Sequence, residues 1–143
     1  MSNEKSTAFA PLTSPLKGTA KLPGDKSISH RAVLFAAMAE GTSHLAGVLD
    51  SEDVRSSINV VTQLGAKVDL APSDDGSLEG AVTGWGSDGP VQPTEPLDCG
   101  NSGTTARLLM GMLAPWGIEA TITGDDSLKR RPMRRNTAPL MKM

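Results

Sequence analysis

Three short stretches carry residue types that do chemistry together, and each of them suits an anion. The first is Leu22-Pro23-Gly24-Asp25-Lys26-Ser27-Ile28-Ser29-His30-Arg31, followed by an apolar run over residues 32–39. Pro and Gly mark a sharp turn. Ile28, Ala32, Phe35 and Ala39 then recur at helical spacing, which predicts a helix whose apolar stripe runs through those four and whose cap is Ser27 or Ser29. Lys26, Ser27 and Arg31 therefore stand in the first turns of a helix, where free N–H groups and the positive dipole end favour anions. Two cations and a hydroxyl add charge-assisted hydrogen bonds there. Isolated Lys-Ser pairs also occur as solvated charges with capping serines. A cation at a helix N-terminus, however, works against a dipole term of roughly 0.3–1 kcal/mol. Meeting that cost twice in six residues points to function.

The second stretch, Gly100-Asn101-Ser102-Gly103-Thr104-Thr105-Ala106-Arg107, has the chemistry of a phosphate or carboxylate cradle. Its glycines let the backbone approach a ligand, and its N–H groups converge at a helix start. It is not a Walker loop, because no Gly-Lys-Ser/Thr follows at the required spacing. The third, Ser127-Leu128-Lys129-Arg130-Arg131-Pro132-Met133-Arg134-Arg135, places five cations in seven residues. By charge alone it suits a solvated face, and no aromatic residue lies among the cations to stack a base. Arg131, just before an expected helix start, is suited to clamp a carboxylate or phosphate in bidentate fashion.

The elements that must position these residues follow a βα grammar. Residues 16–22 predict a strand, followed by the first helix to about Glu40, where Gly41 stops it. Residues 43–49 predict a strand. Asp50-Ser51-Glu52-Asp53 then opens a helix with Val54, Ile58, Val61 and Leu64 on one face. Strands over 66–70 and 78–83 complete a β-α-β-α-β-β unit at about residues 16–84. After a Gly/Pro-rich connection the grammar restarts at about residue 97. It gives a short strand at 97–99, a helix over about 104–113, a strand over 118–123, a turn at 124–127 and a helix from Pro132. This second unit stops at Met143 without its last strands, so the chain reads as a repeat interrupted in its second copy. The fold class expected is α/β. In such layouts strand-to-helix turns gather on one side of the sheet, which is how the three stretches would meet.

The composition frames these expectations. The 143 residues are 38% hydrophobic and 21% charged, with a net charge of −2, which gives no reason to expect nucleic acid. Two Phe, two Trp and no Tyr leave the core to aliphatic residues and Met. Cys99 is the sole cysteine, which excludes an internal disulfide and fits a reducing compartment, so a cytoplasmic location is expected. No apolar run approaches a membrane span, and no signal-peptide core is visible. Residues 1–15 are polar and Pro-punctuated and read as a flexible tail.

Taken in order, four segments resemble the enolpyruvyl transferases, and within them the EPSP synthase family. They are residues 22–31, Leu49-Asp50-Ser51-Glu52-Asp53-Val54, Leu97-Asp98-Cys99-Gly100-Asn101-Ser102-Gly103-Thr104, and Arg131-Pro132-Met133. Order and spacing match along residues 16–143. The resemblance implies an inverted α/β barrel domain built from repeated βαβαββ units, here interrupted in the second. It implies transfer of the enolpyruvyl group of phosphoenolpyruvate to the 5-hydroxyl of shikimate 3-phosphate, through a tetrahedral ketal, with release of phosphate. No metal and no organic cofactor are implied, and the partners are these two small molecules, with neither nucleic acid nor membrane. The full-length enzyme is expected to be a monomer.

By the same resemblance, Lys26 touches both substrates and serves in proton transfer. Ser27 and Arg31 hold shikimate 3-phosphate, Gly103 and Arg131 hold phosphoenolpyruvate, and Asn101 and Thr104 shape the loop. Glyphosate would compete at the same place. Asn136 and Thr137 depart from the family, which is apolar at those positions. The carboxylate base and further Arg and Lys ligands of the family lie outside these 143 residues, so the chain alone is expected not to turn over. Its interrupted unit, with an unpaired sheet edge and an uncovered apolar helix face, is expected to be unstable by itself. Two other readings stay open. One is the sister enzyme acting on UDP-N-acetylglucosamine, against which the absence of its Lys-Asn start speaks. The other is a non-catalytic fragment binding anions or nucleic acid through residues 129–135.

Overall fold

The computed structural model describes Pro11 and residues 13–143, so the tail expected over residues 1–15 lies largely outside the described residues. The architecture is α/β. In order come α1 (Lys26–Met38), β1 (Thr42–Val48), α2 (Glu52–Gln63), β2 (Lys67–Pro72) and β3 (Leu78–Thr83). Then follow β4 (Leu97–Asp98), α3 (Gly103–Leu113), β5 (Ile122–Thr123), α4 (Asp126–Lys129) and α5 (Arg134–Leu140). β3 is central in a three-stranded sheet, antiparallel to both β1 and β2. β4 and β5 form a parallel pair. Leu97, Leu109 and Leu128 belong to the same core cluster as Val33, Val61 and Val82, so both sheets share one interior.

The strand expected over residues 16–22 does not form. Every one of these residues is exposed, and the segment finds no partner strand among the described residues. Strand structure belongs to a ladder rather than to a segment, so apolar alternation without a neighbour leaves only an open chain. The first unit here therefore reads αβαββ. At the other end, the expected strand over 118–123 shrinks to Ile122–Thr123. Upstream of it the Gln92 side chain stands in for a strand, accepting from the Glu119 N–H at 3.2 Å and donating to the Glu119 carbonyl.

α1 also differs from expectation. Its stripe through Ile28 and Phe35 is the exposed face, at 62% and 63% exposure, while Ser29, His30, Val33, Leu34, Ala36 and Ala37 are buried. The helix is apolar on nearly every side, so a 3.6-residue period cannot select its inner face. The two polar residues that go inward do so because each meets a partner. α2 buries Val54, Val61 and Leu64 and half-buries Ile58, as its stronger amphipathic pattern requires. A four-residue helix, α4, occupies the expected turn after Gly124, and α5 starts at Arg134 rather than at Pro132.

Candidate functional site

The first turn of α1 has its own cap and is held against the end of β1 by two contacts. Neither Ser27 nor Ser29 is the cap; Asp25 is, its Oδ1 accepting from the Ile28 N–H at 2.7 Å. Ser29 instead pins the helix, its hydroxyl donating to the Asp25 carbonyl at 2.8 Å and accepting from the Leu49 N–H at 2.9 Å. Gly24 lies directly on the Gly47 carbonyl, where any Cβ would collide with it. Lys26 then forms an ion pair with Asp53 on the first turn of α2. Ser27 and Arg31 are exposed on α1, and neither is hydrogen-bonded through its side chain among the described residues.

Around α3 the geometry is tighter. Ser102 caps the helix, its buried Oγ accepting from the Thr105 N–H at 3.1 Å. Gly103 opens the helix beneath two guanidinium groups: a Cβ on it would stand 2.6 Å from Arg107 Nη1 and 2.9 Å from Arg131 Nη1. Arg131 Nη2 donates to Asn101 Oδ1 at 2.7 Å, and Arg107 Nη1 to the Gly103 carbonyl at 3.1 Å. The Asn101 amide is oriented from behind, donating to Asp125 Oδ2 at 2.6 Å, and that bond holds the Asp125 carboxyl below its ordinary range. Asp125 also caps α4, accepting from the Leu128 N–H at 2.7 Å. The Gly103 N–H, expected to face a ligand, bonds the Asn101 carbonyl at 3.0 Å in a three-residue turn.

So the fold brings Asn101, Gly103 and Arg131 together, with Thr104 half-buried beside them, and among the described residues no hydrogen bond ties the Ser27 or Arg31 side chain to that group. Helix α1, which carries Lys26, is linked to it through the interior. His30, fully buried, has Nδ1 2.8 Å from Ser57 Oγ on α2, and Ser57 Oγ is 2.7 Å from Thr105 Oγ1 on α3. Burial pushes the His30 ring pKa down, and the ring lies close enough to Asp53 and Lys26 to feel both charges. A cavity of about 600 Å³ between residues 21–24, the end of β1 and the turn at Asp75 contains none of these groups.

Several residues escaped the sequence reading. Arg107 lies one turn beyond Gly103 on the same helix face, a spacing that could have exposed it. Asp53 could have been found as a carboxylate on the turn following the second strand. Asp125, Ser57 and Thr105 carry no local signal. Among the described residues no cluster of His, Cys, Asp and Glu suits a metal ion. Cys99 is buried, and burial raises its thiol to about 11, so it is no nucleophile at neutral pH.

Two guanidinium groups stand over a glycine at a serine-capped helix start, and the sequence around it matches one family throughout. The sequence model of EPSP synthase (3-phosphoshikimate 1-carboxyvinyltransferase) matches residues 12–143. This chain belongs to the EPSP synthase family. The 3-phosphoshikimate 1-carboxyvinyltransferase of Xanthomonas campestris pv. campestris (strain B100) is 47% identical over 143 residues, which is 100% of this chain and 32% of the relative. That of Xanthomonas euvesicatoria pv. vesicatoria (strain 85-10) is 48% identical over 128 residues, covering 90% of this chain and 28% of the relative. A solved EPSP synthase from Acinetobacter baumannii superposes with a TM-score of 0.78 at 40% identity, covering 88% of this chain and 27% of that one. The chain thus spans about a third of the length of the curated EPSP synthases it matches. No helix among its described residues is long and apolar enough to cross a membrane.

Proposed function

We propose that this chain supplies one wall of the site at which phosphoenolpyruvate is joined to the 5-hydroxyl of shikimate 3-phosphate. The observation that carries the reading is the pair of guanidiniums, Arg107 and Arg131, over Gly103, with Asn101 aimed at Arg131 by Asp125. Phosphoenolpyruvate carries a phosphate and a carboxylate on one small frame, and the α3 start offers it a fork-shaped donor and a positive dipole end. To bind, the ligand takes the Gly103 N–H from its three-residue turn.

Lys26 stands at α1 in salt-bridge contact with Asp53, and the approaching anions compete for its ammonium. Ser27 and Arg31, exposed one helical turn apart, take the shikimate 3-phosphate phosphate and carboxylate. In the reaction the 5-hydroxyl gives its proton to the base as its oxygen forms a bond to C2 of phosphoenolpyruvate, and the phosphoenolpyruvate methylene carbon, C3, gains a proton. The resulting ketal then loses that methyl proton and the phosphate. In this reading Lys26 hands a proton to the substrates. Gathering two polyanions is the first obstacle, and a field of fixed cations lowers it. The carboxylate base and the further cations of this reaction lie outside these 143 residues, so the chain by itself does not turn over.

The substrates are small molecules. No aromatic residue on which a base would stack lies among the exposed cations Lys129, Arg130, Arg134 and Arg135 in the sequence. A buried thiol and no disulfide suit the cytoplasm, and the whole enzyme acts as a monomer. Titration of the 15N-labelled chain tests the reading. Phosphoenolpyruvate is expected to shift the Gly103, Thr104 and Arg131 resonances, and shikimate 3-phosphate those of residues 26–31. Tighter binding of UDP-N-acetylglucosamine than of shikimate 3-phosphate would transfer the chain to the sister activity. Phosphate release by the purified chain alone would refute its inactivity.

A further inference from the structure

The hydroxyls between α1 and α3 leave only one way to arrange their protons. Thr105 Oγ1 donates to Ser102 Oγ at 2.7 Å and so spends its single proton there. The contact between Ser57 and Thr105, also 2.7 Å, must then use the Ser57 proton. Ser57 is left as an acceptor, and the 2.8 Å contact with His30 must use a proton on Nδ1. The same conclusion follows from the other side of the ring. His30 Nε2 is buried and has no partner among the described residues. A bare lone pair is more easily left unpaired in an interior than an N–H is. All four residues are within 3% of full burial, and they join three helices.

We propose that His30, carrying its proton on Nδ1, is a positioning residue that fixes the first turn of α3, and with it Gly103, relative to Lys26 on α1. The relay runs one way: His30 to Ser57, Ser57 to Thr105, Thr105 to the Ser102 cap. Lys26 lies one turn before His30 on the same helix, and Gly103 is the residue after Ser102. The relay therefore sets the separation between the two cationic walls of the site. Each hydroxyl has one proton, so reversing any member leaves two donors or two acceptors facing each other. The low-pKa ring agrees with this arrangement, since a second proton would point into an interior with no acceptor.

The test uses the 143-residue chain. The 15N shifts of the His30 ring at neutral pH report the tautomer, and the expected result is a protonated Nδ1 with a bare Nε2. A proton on Nε2, or a ring titrating like an exposed histidine, overturns the proposal. Phosphoenolpyruvate is the binding probe in the second arm. His30→Asn sets an N–H donor near the place of Nδ1 and is expected to keep affinity within about twofold of the parent and to hold the Gly103 and Thr104 amide shifts. His30→Leu has no donor and is expected to move those shifts and weaken binding about tenfold, ~1.4 kcal/mol. Ser57→Ala, a smaller change in volume, is expected to act as His30→Leu does. Unmoved Gly103 and Thr104 resonances in both of these variants overturn the proposal. It rests on reading the α3 start as the phosphoenolpyruvate wall, and the two fail separately. If the parent chain ignores phosphoenolpyruvate yet shows the tautomer and the variant shifts, only that reading falls.

Discussion

The starts of α1 and α3 look alike as text, each a glycine turn leading through a hydroxyl residue into an apolar helix, yet they end as different sites. At α1 the cap is a carboxylate, Asp25, which occupies the dipole end with its own negative charge. Its leading cation, Lys26, is engaged by Asp53. At α3 the cap is the neutral, buried Ser102, so the dipole end keeps its positive character, and Arg107 and Arg131 stand over it. The α3 start thus pairs a positive dipole end with two guanidinium groups, whereas α1 contributes side-chain charge on a rigid support. Cap chemistry, one residue in each case, makes the difference, because a helix dipole acts only within about one turn of its end.

Arg131→Ala should break this comparison most visibly. Loss of a charge-assisted partner is worth ~1.5–3 kcal/mol, so phosphoenolpyruvate binding by calorimetry is expected to fall about 10- to 100-fold. Arg31→Ala, on the other helix, is expected to leave phosphoenolpyruvate nearly untouched and to weaken shikimate 3-phosphate. The reverse pattern would make α1 the phosphoenolpyruvate wall.

The two caps differ in what stands behind them. Ser102→Ala removes a cap and opens the buried hydroxyl relay, an expected loss of about 1–3 kcal/mol in thermal or urea unfolding. Asp25→Ala removes an exposed cap and is expected to cost about 1 kcal/mol. Equal losses would mean that the relay adds nothing to the α3 start.

Acidification separates the interior from the surface. The folded pKa of His30 lies below its ordinary 6.5, so below that pH the unfolded chain binds more protons than the folded one. Stability is therefore expected to fall as pH drops through and below 6.5, until the ring itself protonates. Asp50, Asp75 and Asp125, all with lowered pKa, add a second loss only as pH falls below 3.8. Melting curves of the parent and His30→Asn should show the upper slope in the parent alone. The smallest effect belongs to Gly103→Ala. Its new Cβ first meets the movable tips of Arg107 and Arg131, and alanine favours the helix, so stability should change by less than about 0.5 kcal/mol. Phosphoenolpyruvate binding should nevertheless weaken several-fold as the two guanidiniums are pushed apart.

Local chemistry made much of this legible in advance. The span of α2 and its inner face follow from an acidic first turn and a strong period, and the α3 start follows from its Gly-Asn-Ser-Gly run. The helix of α1 was legible but its orientation was not, because an all-round apolar helix has no periodic answer to which side goes in. The strand expected over 16–22 failed for a related reason: pairing is a property of neighbours. The α5 start moved from Pro132 to Arg134 once a short helix capped by Asp125 took up the turn.

By itself, then, the sequence determined which residues carry charge, where helices and strands are locally favoured, and which family the motifs belong to. Those are properties of side chains and of turns a few residues long. Only the tertiary structure decided that Asp125 aims Asn101 at Arg131, that Asp53 meets Lys26, and that His30 is buried against Ser57. Those contacts join positions 24 to 30 residues apart, and such hydrogen bonds and ion pairs exist only after separate elements have packed to within about 3 Å.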